Sequence, residues 1–458
     1  MKPLTMPSFS FLLRRGRRAL VPLLLSATAA LAPGAARAGG VEPCEYASVF
    51  SGAALNLLVL PYRYEAPRLG GEGAGARVPQ ELERASQQLA SLVHLELLMG
   101  LLKYGSIGAK HLQAMPGELC DVDKVLTQIG RPGGSGALKP GQSAVLVWGR
   151  LFEQGGQFYL QSYLRFVRQG PQGPVEERLG FELAPGLGRL EAGLPAQALA
   201  LAPRRITREE LARVDRDFRQ AMQLRSEPRS EAPGRSIEFQ PQQAFAYWVT
   251  GTRGDWMQLQ PMAGGPAGWV QVRGGDEAGA PAWSLQRWLP ELAFMDAVSG
   301  FMRLRAAGPM EAAERRRTER AIERGLQRYE QALSAEQAPL AWGLAAALRG
   351  WLAWEAGQRE AALAQFERSR ALMPDYAGAR QLVALARASL AGPELGEAGS
   401  ARLSRELMAA LALAPDRPEL LGNLQRLLDF FGRRPEWSPY PAEQLGQRQE
   451  ILRAAAPR

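Results

Sequence analysis

The sequence predicts a multidomain α+β protein: a small α/β domain, then a small β-rich module, then a C-terminal α-helical repeat domain. Three observations predict it. Apolar strand-like runs flank a long helical pattern between residues 50 and 170. Aromatic residues broken by Gly-rich turns fill residues 239–273. From residue 283 the apolar residues recur only at helical spacing. A chain of 458 residues suits about three domains. Hydrophobic residues at 46% and charged residues at 22% exclude a disordered chain, a collagen-like fibre and a polytopic membrane protein.

Residues 1–18 are basic and end in Arg14-Arg15-Gly16-Arg17-Arg18; an apolar run from Ala19 to Ala32 follows, then Ala36-Arg37-Ala38. This is the pattern of a secretory signal cleaved after Ala38. The apolar run is shorter than the roughly 20 residues a membrane anchor needs. Arg17-Arg18 leaves a twin-arginine export route open beside the general one. Lys2, Arg14, Arg15, Arg17, Arg18 and Arg37 would leave with the signal, taking the net charge from +9 to +3. That remainder does not suggest nucleic acid. No later segment reaches 18 uncharged apolar residues, so the mature chain is expected to be periplasmic or secreted, with no integral membrane span. Its two cysteines, Cys44 and Cys120, read in an oxidising compartment as a disulfide within the first domain; two buried free thiols are the other reading.

Ala54 to Tyr62, closed by Pro61, suits a buried strand. Pro79 to Lys103 reads as one helix, with Leu82, Leu89, Leu92, Val93, Leu97 and Leu101 at helical spacing. Asp121 to Ile129 reads as a second, started by an Asp cap. Ser143 to Leu151 and Phe158 to Arg168 are strands about the turn Glu153-Gln154-Gly155-Gly156. An apolar strand ending in Leu60-Pro61, then a helix, then a strand carrying Gly149 before a hairpin resembles the TolB-like amino-terminal domains of bacterial envelope and adenylate-cyclase-associated proteins. The resemblance covers roughly residues 50–170.

Phe181 to Thr207 reads as a connector, Arg208 to Leu224 as a charged helix, and Ser226 to Arg235 as a linker holding Pro228 and Pro233. Three short strands follow between Phe239 and Arg273, separated by turns at Gly251–Gly254 and Gly264–Gly268. Tyr247-Trp248-Val249, Gly254-Asp255-Trp256-Met257 and Gly268-Trp269-Val270 resemble a bacterial SH3-like module. The resemblance implies a closed five-stranded barrel over residues 226–278. Trp269 would be in its core, with Tyr247, Trp248 and Trp256 available to a peptide or cell-wall stem peptide.

Trp283 to Arg305, Met310 to Leu333 and Trp342 to Met373 read as helices. Gly350, Gly357, Ala362, Phe366 and Pro374 have spacings that resemble the tetratricopeptide (TPR) repeat, in which small residues let paired helices touch. A weaker copy carries Leu407, Ala410 and Pro415, and another carries Tyr329 and Ala332. Gly350, Ala362 and Phe366 are thus expected between paired helices, and partner contacts on the inner helix of each pair, Arg349 among them. Arg316, Arg320, Arg324 and Arg328 fall at successive fourth positions and form one basic stripe.

No catalytic constellation emerges. A triad would need a nucleophile and an acid beside His94 or His111; His94, between apolar Val93 and Leu95, reads as a packed or surface residue, and neither a G-x-S-x-G elbow nor a phosphate-binding loop occurs. Too few Cys and His residues exist for a zinc site. Glu176-Glu177 and Asp121/Asp123 sit in ordinary charged or capping contexts. No metal or other cofactor is expected. The reading is a non-enzymatic envelope scaffold or adaptor binding proteins or peptides through Tyr247, Trp248, Trp256, Arg320, Arg324 and Arg349. The alternative is peptidoglycan recognition by the SH3-like barrel.

Overall fold

The structure is a computed structural model and describes residues 54–65, 80–102, 138–170, 174–194, 197–236, 247–261, 265–272, 285, 288–306, 308, 310–415 and 417–455. The expected export signal and the 121–129 helix lie outside the described residues. So do Cys44 and Cys120. No cysteine occurs among the described residues, and no disulfide braces the first domain there, against the expected Cys44–Cys120 bond.

Strand β1 (Leu55–Glu65) leads to helix α1 (Gln80–Leu102), then to the hairpin of β2 (Ser143–Gln154) and β3 (Gln157–Gln169). β1 runs parallel to β2, and β2 antiparallel to β3. The turn between β2 and β3 falls on Gly155 and Gly156, both at positive φ, which the two-residue connection requires. Every residue of α1 from Gln88 to Leu101 is buried. Its neighbours explain this: β1 covers one side and two later helices cover others. A helix enclosed all round needs no polar face. Buried Glu96 accepts the backbone N–H of Leu285, so one of its few polar groups is used in packing.

The stretch read as a connector, Phe181 to Thr207, holds the end of one strand and three more. After β4 (Pro174–Val175), β5 (Arg178–Glu182) pairs with β6 (Arg189–Gly193) as a separate two-stranded ribbon. β7 (Leu199–Ala200) and β8 (Arg204–Ile206) return to pair with β3 and complete the first sheet. Helix α2 (Arg208–Ala221) starts with a capping box, Thr207 and Glu210 each bonding the other's backbone N–H.

The SH3-like barrel is not formed. β9 (Gln223–Arg225), β10 (Gly234–Ser236), β11 (Tyr247–Arg253), β12 (Trp256–Pro261) and β13 (Gly268–Gln271) make an open sheet in the order β10-β9-β13-β12-β11. Its end strands, β10 and β11, do not pair with each other. Closure needs strands long enough to tilt and wrap. Here β9 and β10 have three residues each, and β9 pairs with β13 only through Arg225 opposite Trp269. The linker read over Ser226 to Arg235 is thus the connection of a short hairpin with the start of β10, and β9 takes Gln223 and Leu224, read as the end of the charged helix, which stops at Ala221.

Among the described residues eight α-helices follow: α3 (Glu291–Ala306), α4 (Ala312–Ala332), α5 (Pro339–Glu355), α6 (Arg359–Leu372), α7 (Ala377–Ala391), α8 (Gly396–Leu413), α9 (Pro418–Arg433) and α10 (Ala442–Ala455). They pack as consecutive pairs, α3 with α4 through α9 with α10, and the pairs stack on one another. The repeat spacing has its expected cause at Gly350: a Cβ there would lie 2.6 Å from the Phe366 ring and 3.1 Å from the Ala362 carbonyl oxygen. Ala362 and Phe366 are fully buried in that seam. The molecule is a mixed α/β region followed by a helical-repeat region. One hydrophobic core runs through both, from Leu55 on β1 to Leu452 on α10.

Candidate interaction surfaces

The helical array already holds a protein segment, the chain's own β5–β6 ribbon. Phe181 on β5 anchors it, its ring centroid 4.7 Å from that of Trp354 on α5 and 6.3 Å from that of Phe366 on α6. Polar side chains of the array then read the ribbon's backbone. Asn423 on α9 donates to the Glu191 carbonyl at 2.6 Å and accepts the Glu191 N–H at 3.2 Å, as a neighbouring strand would. Gln381 on α7 donates to the same carbonyl at 2.8 Å. Ser389 donates to the Glu182 carbonyl, Tyr376 to that of Gly193, and Arg426 to that of Arg189.

Ion pairs close the edge of this contact. Arg417 lies 2.8 Å from Glu176 and 3.7 Å from Glu419, and Arg178 bridges Glu191 and Glu419. Burial, with Glu176 adding to it, holds the Tyr376 phenol well above its ordinary pKa. Burial works against the Arg417 charge, but Glu176, Tyr376 and Glu419 together outweigh it and its pKa is raised. α3 is likewise engaged, packing on α1 and the first sheet, where Arg305 meets buried Glu177. The first helix of every pair thus faces the amino-terminal region, and the second helices α4, α6, α8 and α10 carry the solvent-facing side.

The sequence-predicted residues are not gathered in one place. Tyr247 and Trp248 lie on β11, opposite Pro261 and Gln260 of β12. Trp256 opens β12 and is buried, beside the core residues Met257 and Leu259. Trp269, expected in the core, is half-buried on β13, and Val270 of that strand and Val272 just after it take the inward positions. Arg349 on α5 is 13% exposed and committed: its guanidinium pairs with Glu323 at 2.9 Å and Glu330 at 2.6 Å, both on α4. Those two acids outweigh its burial and hold its pKa above the ordinary value. Arg320 and Arg324 are exposed on the far side of α4.

Sequence reasoning missed the backbone-reading residues Gln381 and Asn423. Their signal was a polar residue set among apolar ones, Gln381 before Leu382-Val383 and Asn423 before Leu424, at buried helical positions. Buried amides need partners, but nothing local said that the partner was a strand 190 residues away from Gln381 and 232 from Asn423. His94 is packed inside α1 at 1% exposure. Among the described residues no group of three or more His, Cys, Asp or Glu could hold a metal ion. None of their helices is long and apolar enough to cross a membrane. No family model, curated protein or solved structure matches this chain.

Proposed function

We propose that the chain is a non-enzymatic adaptor of the bacterial envelope, periplasmic or secreted, that binds protein partners through its helical-repeat region. One observation carries this reading. The array holds an extended protein ribbon by an aromatic anchor and by side-chain hydrogen bonds to backbone groups, which is the chemistry of peptide recognition. That surface is satisfied within the chain, so the partner surface is the solvent-facing side formed by the second helices. It carries exposed Arg320, Arg324, Arg402 and Arg405, with Met408 and Leu413 exposed on α8. Recognition of peptidoglycan rested on a closed barrel with Trp256 in its groove; the sheet is open and Trp256 is buried, and nothing in the fold favours that alternative.

The test is cross-linking capture from envelope extracts with the mature protein, residues 39–458, as bait. Specific proteins should be recovered, and they should be lost when the bait is heat-unfolded beforehand. Recovery no different from the unfolded bait would overturn the adaptor reading.

A further inference from the structure

The charges of α4 are sorted by side. Glu314 pairs with Arg303 of α3, Glu319 with Arg315 at 2.8 Å, and Glu323 and Glu330 with Arg349 of α5. Arg315 reaches on to Glu355 at 2.9 Å. The helix therefore spends three of its acids on links to its neighbours and Glu319 on its own Arg315. Arg316, Arg320 and Arg324 are left on the opposite side, exposed and with no ion pair among the described residues. At four-residue intervals they share one face, about 6 Å apart along the axis. Their own row holds no carboxylate, and the acids nearest in sequence, Glu319 and Glu323, are already bonded.

We propose that the Arg316–Arg320–Arg324 stripe docks an acidic α-helix of a protein partner. This rests on the adaptor reading and names the partner's chemistry. A helix with Glu or Asp at every fourth position repeats its carboxylates at the same step of about 6 Å, so each guanidinium meets one carboxylate in the forked geometry that arginine favours. The stripe is one row wide. Glu319 and Glu323 flank it with side chains 34% and 42% exposed. A flat anionic membrane would be pressed against those carboxylates as well as against the arginines, whereas a rod-shaped partner meets the row alone.

The probes are two alanine-rich peptides long enough to be helical, of equal length and composition. One carries glutamate at every fourth position; the other has the same glutamates dispersed around the helix. Titrated into the mature protein at low salt, the aligned peptide should bind about tenfold more tightly than the dispersed one, the sum of about three exposed ion pairs. R320E/R324E should abolish that preference and melt like the wild type, because neither side chain has an ion pair to lose. Equal binding of the two peptides, or an unchanged preference in R320E/R324E, would overturn the proposal. So would stripe-dependent binding to phosphatidylglycerol vesicles with no peptide preference. Capture from envelope extracts separates the two levels. Partners retained equally by R320E/R324E remove the stripe and leave the adaptor standing. A wild-type bait that captures nothing removes the adaptor, whatever the peptides do.

Discussion

The carboxyl group of Glu291 sits in the first turn of α3, fully buried where that helix meets the sheet. Burial pushes its pKa up to about 7, against the pull of its own backbone N–H and of Arg204. Tyr62 of β1 and Tyr329 of α4 feel its charge, and both phenols are held above their ordinary pKa, chiefly by burial. In the unfolded chain the same carboxyl ionises near 4.5. Between these values the folded state keeps a proton that the unfolded state has released. Stability must therefore fall as pH rises from about 4.5 to 7 and level off above, a change of about 3 kcal/mol at most. E291Q removes the titration. Urea midpoints at pH 5 and pH 8 should differ for the wild type and hardly at all for E291Q, with E291Q the more stable at pH 8. Equal pH slopes in the two proteins would rule out Glu291 as the source.

At the scale of elements, the β5–β6 ribbon depends on its anchor and its amide clamp. F181A should cost about 3–5 kcal/mol, since a fully buried ring is removed from between Trp354 and Phe366. N423A leaves the Glu191 N–H without its Asn423 acceptor and should cost about 1–3 kcal/mol. Chemical denaturation checks both, and a wild-type midpoint in either variant would mean the ribbon is only loosely held. The elements that were legible are those whose own residues bury them. β1 to β3 showed apolar runs or alternation, and the α5–α6 seam showed its Gly350 and Phe366. The ribbon was illegible because a five-residue strand carries too few positions for a period, and its burial comes from helices far along the chain. β10 hid behind Pro228, Pro233 and charged residues, a composition that reads as linker, and β9 behind the charged helical pattern that runs into it from Arg208. The three-strand pattern around Trp256 was legible, but closure was not, because it depends on strand lengths and register beyond those strands.

On the scale of the whole molecule, the sheets and the helical array share one continuous core. Glu177 between Ser143 and Arg305, and Arg305 onward to Glu355, tie the first sheet to α3 and α5. Heat should therefore unfold the two regions together. Scanning calorimetry of the mature protein should give a single peak with a calorimetric to van't Hoff enthalpy ratio near one. Two resolved peaks would show that the regions melt independently.

The bond between Glu191 and Asn423 also has a meaning in time. The ribbon leaves the ribosome long before α9 exists, since 232 residues separate the two partners. Until α9 is made, a strand pair with buried-type side chains and unmet backbone groups stands open to any passing edge. Loop closure over such a span is slow relative to local helix formation. The nascent chain thus exposes the ribbon early and completes its cover only once α9 is made.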